Sequence, residues 1–126
     1  MFDINYKLQL DIVAWHCSVF KDATLESQIE KLKEEVEEVE NSSNMREFYT
    51  ELTDTYISCI ALQRWSGYAM ELAYFIIREL EKSVDWEIPQ ESFEKMIADK
   101  LEINKSRTWA KNELGVYHHI KGESND

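Results

Sequence analysis

The sequence predicts an all-α fold, a bundle of four to five helices, and three observations predict it. Three glycines and one proline among 126 residues leave few sites for the tight turns that a sheet requires. Abundant Glu, Lys, Leu and Ile favour long helices. Apolar residues recur at helical spacing along most of the chain. With 44% hydrophobic positions, residues 1–126 are expected to form a single domain with a real core.

The first helix is drawn over Asn5 to Phe20 and the second over Leu25 to Asn41. Thr24 stands where an N-cap belongs, but Ser27 rather than an acid follows three residues later, so no full capping box is expected. Leu25, Ile29, Leu32, Val36 and Val39 step by four and three and make one apolar stripe. The third helix runs from Met45 to Trp65, with Asn44 and Glu47 at capping-box spacing. Phe48, Tyr49, Leu52, Tyr56, Ile57, Cys59, Ile60, Ala61 and Leu62 nearly encircle it, the pattern of a helix buried on most sides. Because four short neighbours supply little cover for such a helix, a homodimer or homotetramer is expected. Gly67 breaks the chain before a fourth helix over Tyr68 to Ser83. The fifth runs from Gln90 to Glu113, with Pro89 at its first turn. The segment from Gly115 ends in the polar run GESND, and a short flexible tail is expected from about residue 120.

The formal charge of −11 argues against a nucleic-acid or anionic-membrane surface, since both call for cationic patches. An acidic protein that handles phosphates needs a metal intermediary. Cys17 and Cys59 lack CxxC spacing and read as buried, reduced thiols. No apolar run approaches the ~18 residues of a membrane span, and the opening MFDINYKLQLD has no signal-peptide pattern, so a cytoplasmic protein is expected.

At about 100° per residue, Thr24, Gln28, Lys31, Glu35 and Glu38 share one stripe of the second helix, with Glu34 beside Glu38. Glu34 to Glu38 thus spells E-E-x-x-E. Alone it reads as a solvated acidic face, with Lys31 and Lys33 as partial i,i+4 partners. The next helix adds Glu51 and Asp54, an E-x-x-D inside its most apolar stretch, where unpaired carboxylates cost several kcal/mol. Arg46 and Arg64 lie more than a turn away, so no local ion pair compensates them, whereas a divalent cation would. An all-oxygen set without His or Cys favours Mg²⁺, then Mn²⁺, over zinc. A di-iron site would need Glu-x-x-His motifs, which are absent.

In the last helix Phe93, Ile97, Lys100, Asn104, Arg107 and Lys111 fall on one face that begins apolar and turns cationic. Lys100, Asn104 and Arg107 would present an ammonium, an amide and a guanidinium in line, suited to a chain of phosphates. By itself the stripe also reads as a solvated basic face favoured by the helix dipole. Trp15 and Phe20 could stack on a base, or belong to the core. Gln28 and Lys31 could reach the base edge or the sugar. His16, His118 and His119 could touch substrate, but nothing in their spacing binds metal, so surface or packing roles are expected for them, and packing for Trp109.

The E-E-x-x-E string at Glu34 to Glu38, followed by E-x-x-D at Glu51 to Asp54, resembles the signature of the MazG-like all-α NTP pyrophosphatases. Lys100, Asn104 and Arg107 match the K-x-x-x-N-x-x-R phosphate motif of the group's phage-type, dATP-dGTP diphosphohydrolase-like branch. The resemblance spans roughly Trp15 to His119. It implies Mg²⁺-dependent hydrolysis of a (deoxy)nucleoside triphosphate to the monophosphate and pyrophosphate. It puts the metal ligands on Glu35, Glu38, Glu51 and Asp54, with Glu34 as the acid that orients or deprotonates water. Two other readings are a relative specific for dUTP or phosphoribosyl-ATP, and a non-catalytic helical interaction protein that kept an acidic face.

Overall fold

A computed structural model describes residues 3–85 and 87–120. It is mostly helical, with five α-helices followed by a small β-hairpin. Helix α1 spans Tyr6–Val19, α2 Leu25–Glu40, α3 Met45–Ile60, α4 Gly67–Glu81 and α5 Gln90–Ser106. A single 3₁₀ turn, Ala61–Arg64, continues α3. Strands β1 (Trp109–Lys111) and β2 (Tyr117–His119) pair antiparallel, with Trp109 opposite His119.

The caps follow local chemistry. The Asn5 carboxamide accepts from the amides of Lys7 and Leu8 at the head of α1. Thr24 and Ser27 do form a reciprocal capping box on α2, because a serine hydroxyl both donates and accepts and here substitutes for the expected acid. Asn44 caps α3 through the Glu47 amide, and Ser66 caps α4 through Ala69.

Two boundaries differ from expectation by more than two residues. The third helix tightens to 3₁₀ geometry at Ala61 instead of running as α-helix to Trp65. The fifth stops at Ser106, seven residues short of Glu113, since Arg107 is already extended (φ −87°, ψ 158°). Beyond it, turn chemistry overrides the helical pattern. The Asn112 side chain accepts from the amides of Leu114 and Val116, and Gly115 adopts φ +79°, open to glycine at little cost. Lys111 therefore leaves the helical stripe for β1, where it ion-pairs with Asp22. The expected flexible tail falls on residues 121–126, outside the described residues.

The core gathers around α3. Leu52, Tyr56 and Ile60 meet Phe93 and Ile97 of α5, Ile77 of α4 and Ile12 of α1, all fully buried. Helices α1, α2, α4 and α5 and the 3₁₀ turn all touch α3, so one chain covers the helix that was expected to need a second copy. Open apolar surface lies elsewhere, including the outer face of α4, where Tyr68, Leu72, Phe75 and Ile76 are more than half exposed. Cys59 is buried as expected, whereas Cys17 is exposed, because its side of α1 faces away from α3; both thiols are free. Among the described residues no helix is long and apolar enough to cross a membrane.

Candidate functional site

Helices α2 and α3 form the most extensive pair of the bundle. Their short connection turns the chain back on itself, so the Glu35–Glu38 edge of α2 comes to lie beside Glu51 and Asp54 of α3. One oxygen each from Glu35, Glu38 and Glu51 lies within 4.8 Å of the others. Glu35 is buried, Glu51 half-buried and Glu38 exposed, so the trio forms a wall that opens toward solvent. It borders a cavity of about 360 Å³. Asp54 lines the same cavity.

The carboxylates crowd one another. Burial drives Glu35 up to about 7, with Asp54 and Glu38 pushing the same way and Lys31 opposing. Glu51 rises to about 8, through burial first and then the neighbouring Glu38, Asp54 and Glu35. Asp54 is raised as well, since burial outweighs the pull of Lys100 and Arg107. Two cations reach the cluster: Lys31 Nζ lies 3.4 Å from Glu35, and Lys100 Nζ lies 3.5 Å from Asp54. The Lys31 pair follows the i,i+4 expectation, while Lys33 turns to Glu30 instead. Asp54 thus has the ion pair that its own helix could not supply, from a residue 46 positions away on α5. Acids this crowded hold protons more tightly when alone, and an all-oxygen trio at this spacing fits a hard divalent cation.

Helix α5 brings Lys100, Asn104 and Arg107 to the cavity. Arg107 Nη1 donates to Asn104 Oδ1 at 3.2 Å, while its buried Nε has no hydrogen-bond partner among the described residues. The Asn104 carbonyl accepts from the indole of Trp109 at 3.1 Å, which ties the hairpin to α5.

The far end is aromatic. Trp15, Phe20, Trp109 and Tyr117 line it. Phe20 stands edge-on to Trp15 and to Trp109, at 5.2 Å between ring centroids in each case. Below them runs a polar chain. Arg64 Nη1 lies 2.8 Å from His16 Nδ1, His16 Nε2 lies 3.0 Å from Gln28 Oε1, and Gln28 Nε2 donates to the Ser58 carbonyl at 2.9 Å. Burial and the Arg64 charge lower His16 to about 4, so its ring is neutral at neutral pH.

Every residue assigned from the sequence to metal, phosphate, base or sugar lines this cavity, and Glu34 does not. Glu34 sits beside it and pairs with His118 Nε2 at 2.7 Å. His16, His118, His119, Trp109 and Tyr117 also line the cavity, though packing or surface roles were favoured for the first four. A turn signal did exist for the hairpin residues, in Asn112 and Gly115 between two short aromatic runs. None existed for Arg64, which meets His16 across 48 positions. Compared with protein-family models, with curated proteins and with solved structures, the chain finds no match.

Proposed function

We propose that the protein is a Mg²⁺-dependent nucleoside triphosphate pyrophosphohydrolase of the MazG-like kind, cutting a (deoxy)nucleoside triphosphate between its α and β phosphates. The observation that carries this reading is the zoning of one cavity: carboxylates on α2 and α3, a basic line on α5 and aromatic rings at the far end. That order matches metal, phosphates and base. Its volume of about 360 Å³ lies within the usual range for a small-molecule pocket.

Glu35, Glu38 and Glu51 would hold the cation, with Asp54 beside them. When bound, Mg²⁺ lowers the pKa of water and offsets charge on phosphate oxygens. Glu34, steadied by His118, orients a water for attack on the α-phosphorus and takes up its proton. The bond from that phosphorus to the bridging oxygen breaks, and pyrophosphate leaves. Lys100, Asn104 and Arg107 stabilise the charge that develops there. Trp15 and Phe20 flank the base, Gln28 meets its edge, and Lys31, one turn along α2, meets the sugar.

The test is pyrophosphate release from a panel of common and damaged ribo- and deoxyribonucleoside triphosphates with Mg²⁺. We expect release from at least one, dependent on the metal. No release from any would turn the reading to a non-catalytic helical protein. The open apolar face of α4 supports self-association, which we propose as well.

A further inference from the structure

We infer that Arg64 and His16 are positioning residues that lock the Gln28 amide in one orientation and so decide which base edge the cavity accepts. The inference rests on the nucleotide reading above.

A side-chain amide has a roughly two-fold terminal torsion, and a half-turn exchanges its oxygen with its NH₂. Left free, Gln28 would offer a base either order of donor and acceptor. Three contacts remove that freedom. The Ser58 carbonyl accepts only, so the group facing it at 2.9 Å must be the NH₂. That carbonyl belongs to the last turn of α3, where helical partners run out as the chain tightens to 3₁₀. On the other side His16 Nε2 must then donate to the Gln28 oxygen, at 3.0 Å. In the neutral ring it donates only when Nδ1 carries no proton, and Arg64 enforces this. A guanidinium has no acceptor, so at 2.8 Å from Nδ1 it must be the donor.

Arg64 is anchored in turn. Its Nη1 also lies 2.9 Å from the Phe20 carbonyl and 3.4 Å from that of His16, at the end of α1. Every link therefore points one way, from a permanent donor to a permanent acceptor, with Gln28 in the middle. Gln28 is only 5% exposed, yet it lines the cavity. These bonds use one of its two N–H groups and one of its two oxygen lone pairs. What remains is one donor and one acceptor in fixed order, under the Trp15 and Phe20 rings. Bases differ in the order of donor and acceptor along their edges, so a locked amide selects a base and a flipping one does not.

The test is calorimetric titration of the full chain with AMP, GMP, CMP and UMP, which share sugar and phosphate, and with pyrophosphate in Mg²⁺. The parent protein should prefer one base by about tenfold or more in Kd. His16→Phe keeps a ring but neither hydrogen bond, and should bring the four nucleotides to within about threefold while pyrophosphate affinity stays unchanged. His16→Gln, which can still donate to Gln28, should restore at least half of the lost preference on a logarithmic scale. The inference is overturned if the parent has no preference, if His16→Phe keeps it, if His16→Gln fails to restore it, or if pyrophosphate affinity falls in parallel. Should His16→Phe not fold by circular dichroism, Arg64→Met decides, since it frees the His16 tautomer and should erase the preference in the same way. Base selection that depends on His16 without any triphosphate hydrolysis would remove the enzyme reading and leave this inference standing. Hydrolysis without base selection would do the reverse.

Discussion

Glu35 lies buried between Lys31 on its own helix and the acids of α3, and its pKa of about 7 makes the metal-free fold sensitive to pH. Unfolded, the group titrates near 4.5, so between 4.5 and 7 the folded chain holds a proton that the unfolded chain loses. Stability from this group is complete below 4.5 and declines as pH rises through 7. Glu35→Gln should therefore stabilise the metal-free protein at pH 8, by up to about 3 kcal/mol, and leave it nearly unchanged at pH 4.5. Urea melts at the two pH values check this, and a variant no more stable than its parent at pH 8 would contradict it. His16 runs the opposite way: lowered from 6.5 to about 4, it costs stability as pH falls through that window. For chemistry the sharper test is Glu38, the exposed member of the trio. Glu38→Gln should lower Mg²⁺-dependent pyrophosphate release by roughly 100-fold or more, about 2.7 kcal/mol of transition-state stabilisation. Its far-UV circular dichroism should match the parent. Retained activity would take Glu38 out of the ligand set.

At the scale of the element, the hairpin is what closes the cavity. It is short, and its fold rests on the Asn112 side chain, the positive φ of Gly115 and the buried Val116. Through it Trp109 reaches Asn104, His118 reaches Glu34, and Tyr117 hydrogen-bonds Asp22. A Cβ at Gly115 would meet only Ser27 Cβ at 3.9 Å, so the objection to a side chain there is backbone strain rather than space. Gly115→Ala should cost about 1 kcal/mol and raise amide exchange in β1 and β2 more than in α3. Equal protection in parent and variant would show that the turn does not hold the hairpin. The sequence pattern missed this element because Lys111 also satisfies helical spacing. Periodicity cannot see that Asn112 and Gly115 suit a turn, and the turn ends the helix wherever its strands find a surface to pack on.

Across the whole molecule, the α4 stripe of Tyr68, Leu72, Phe75 and Ile76 is an open apolar face, each side chain more than half exposed. If this stripe mediates self-association, Phe75→Asp, at 64% exposure, should convert an oligomer to a 15.0 kDa monomer with little loss of helicity. Light scattering at micromolar concentration checks it, and a parent chain already at 15.0 kDa would end the oligomer proposal. The sequence had located the need for a partner on α3, for a sound local reason. A helix apolar on all sides must be covered, but a one-dimensional pattern does not say by what, and α1, α2, α4 and α5 cover it together. By itself the sequence determined the five helices, the caps at Thr24 and Asn44, the acidic and basic stripes and their residue numbers, because helical spacing alone places neighbours three or four apart on one face. Only the tertiary structure decided that Lys100 answers Asp54, that His118 answers Glu34, and that Arg64 and His16 fix Gln28. Those contacts join residues 12 to 84 positions apart, and no local periodicity encodes a meeting that depends on how whole helices pack.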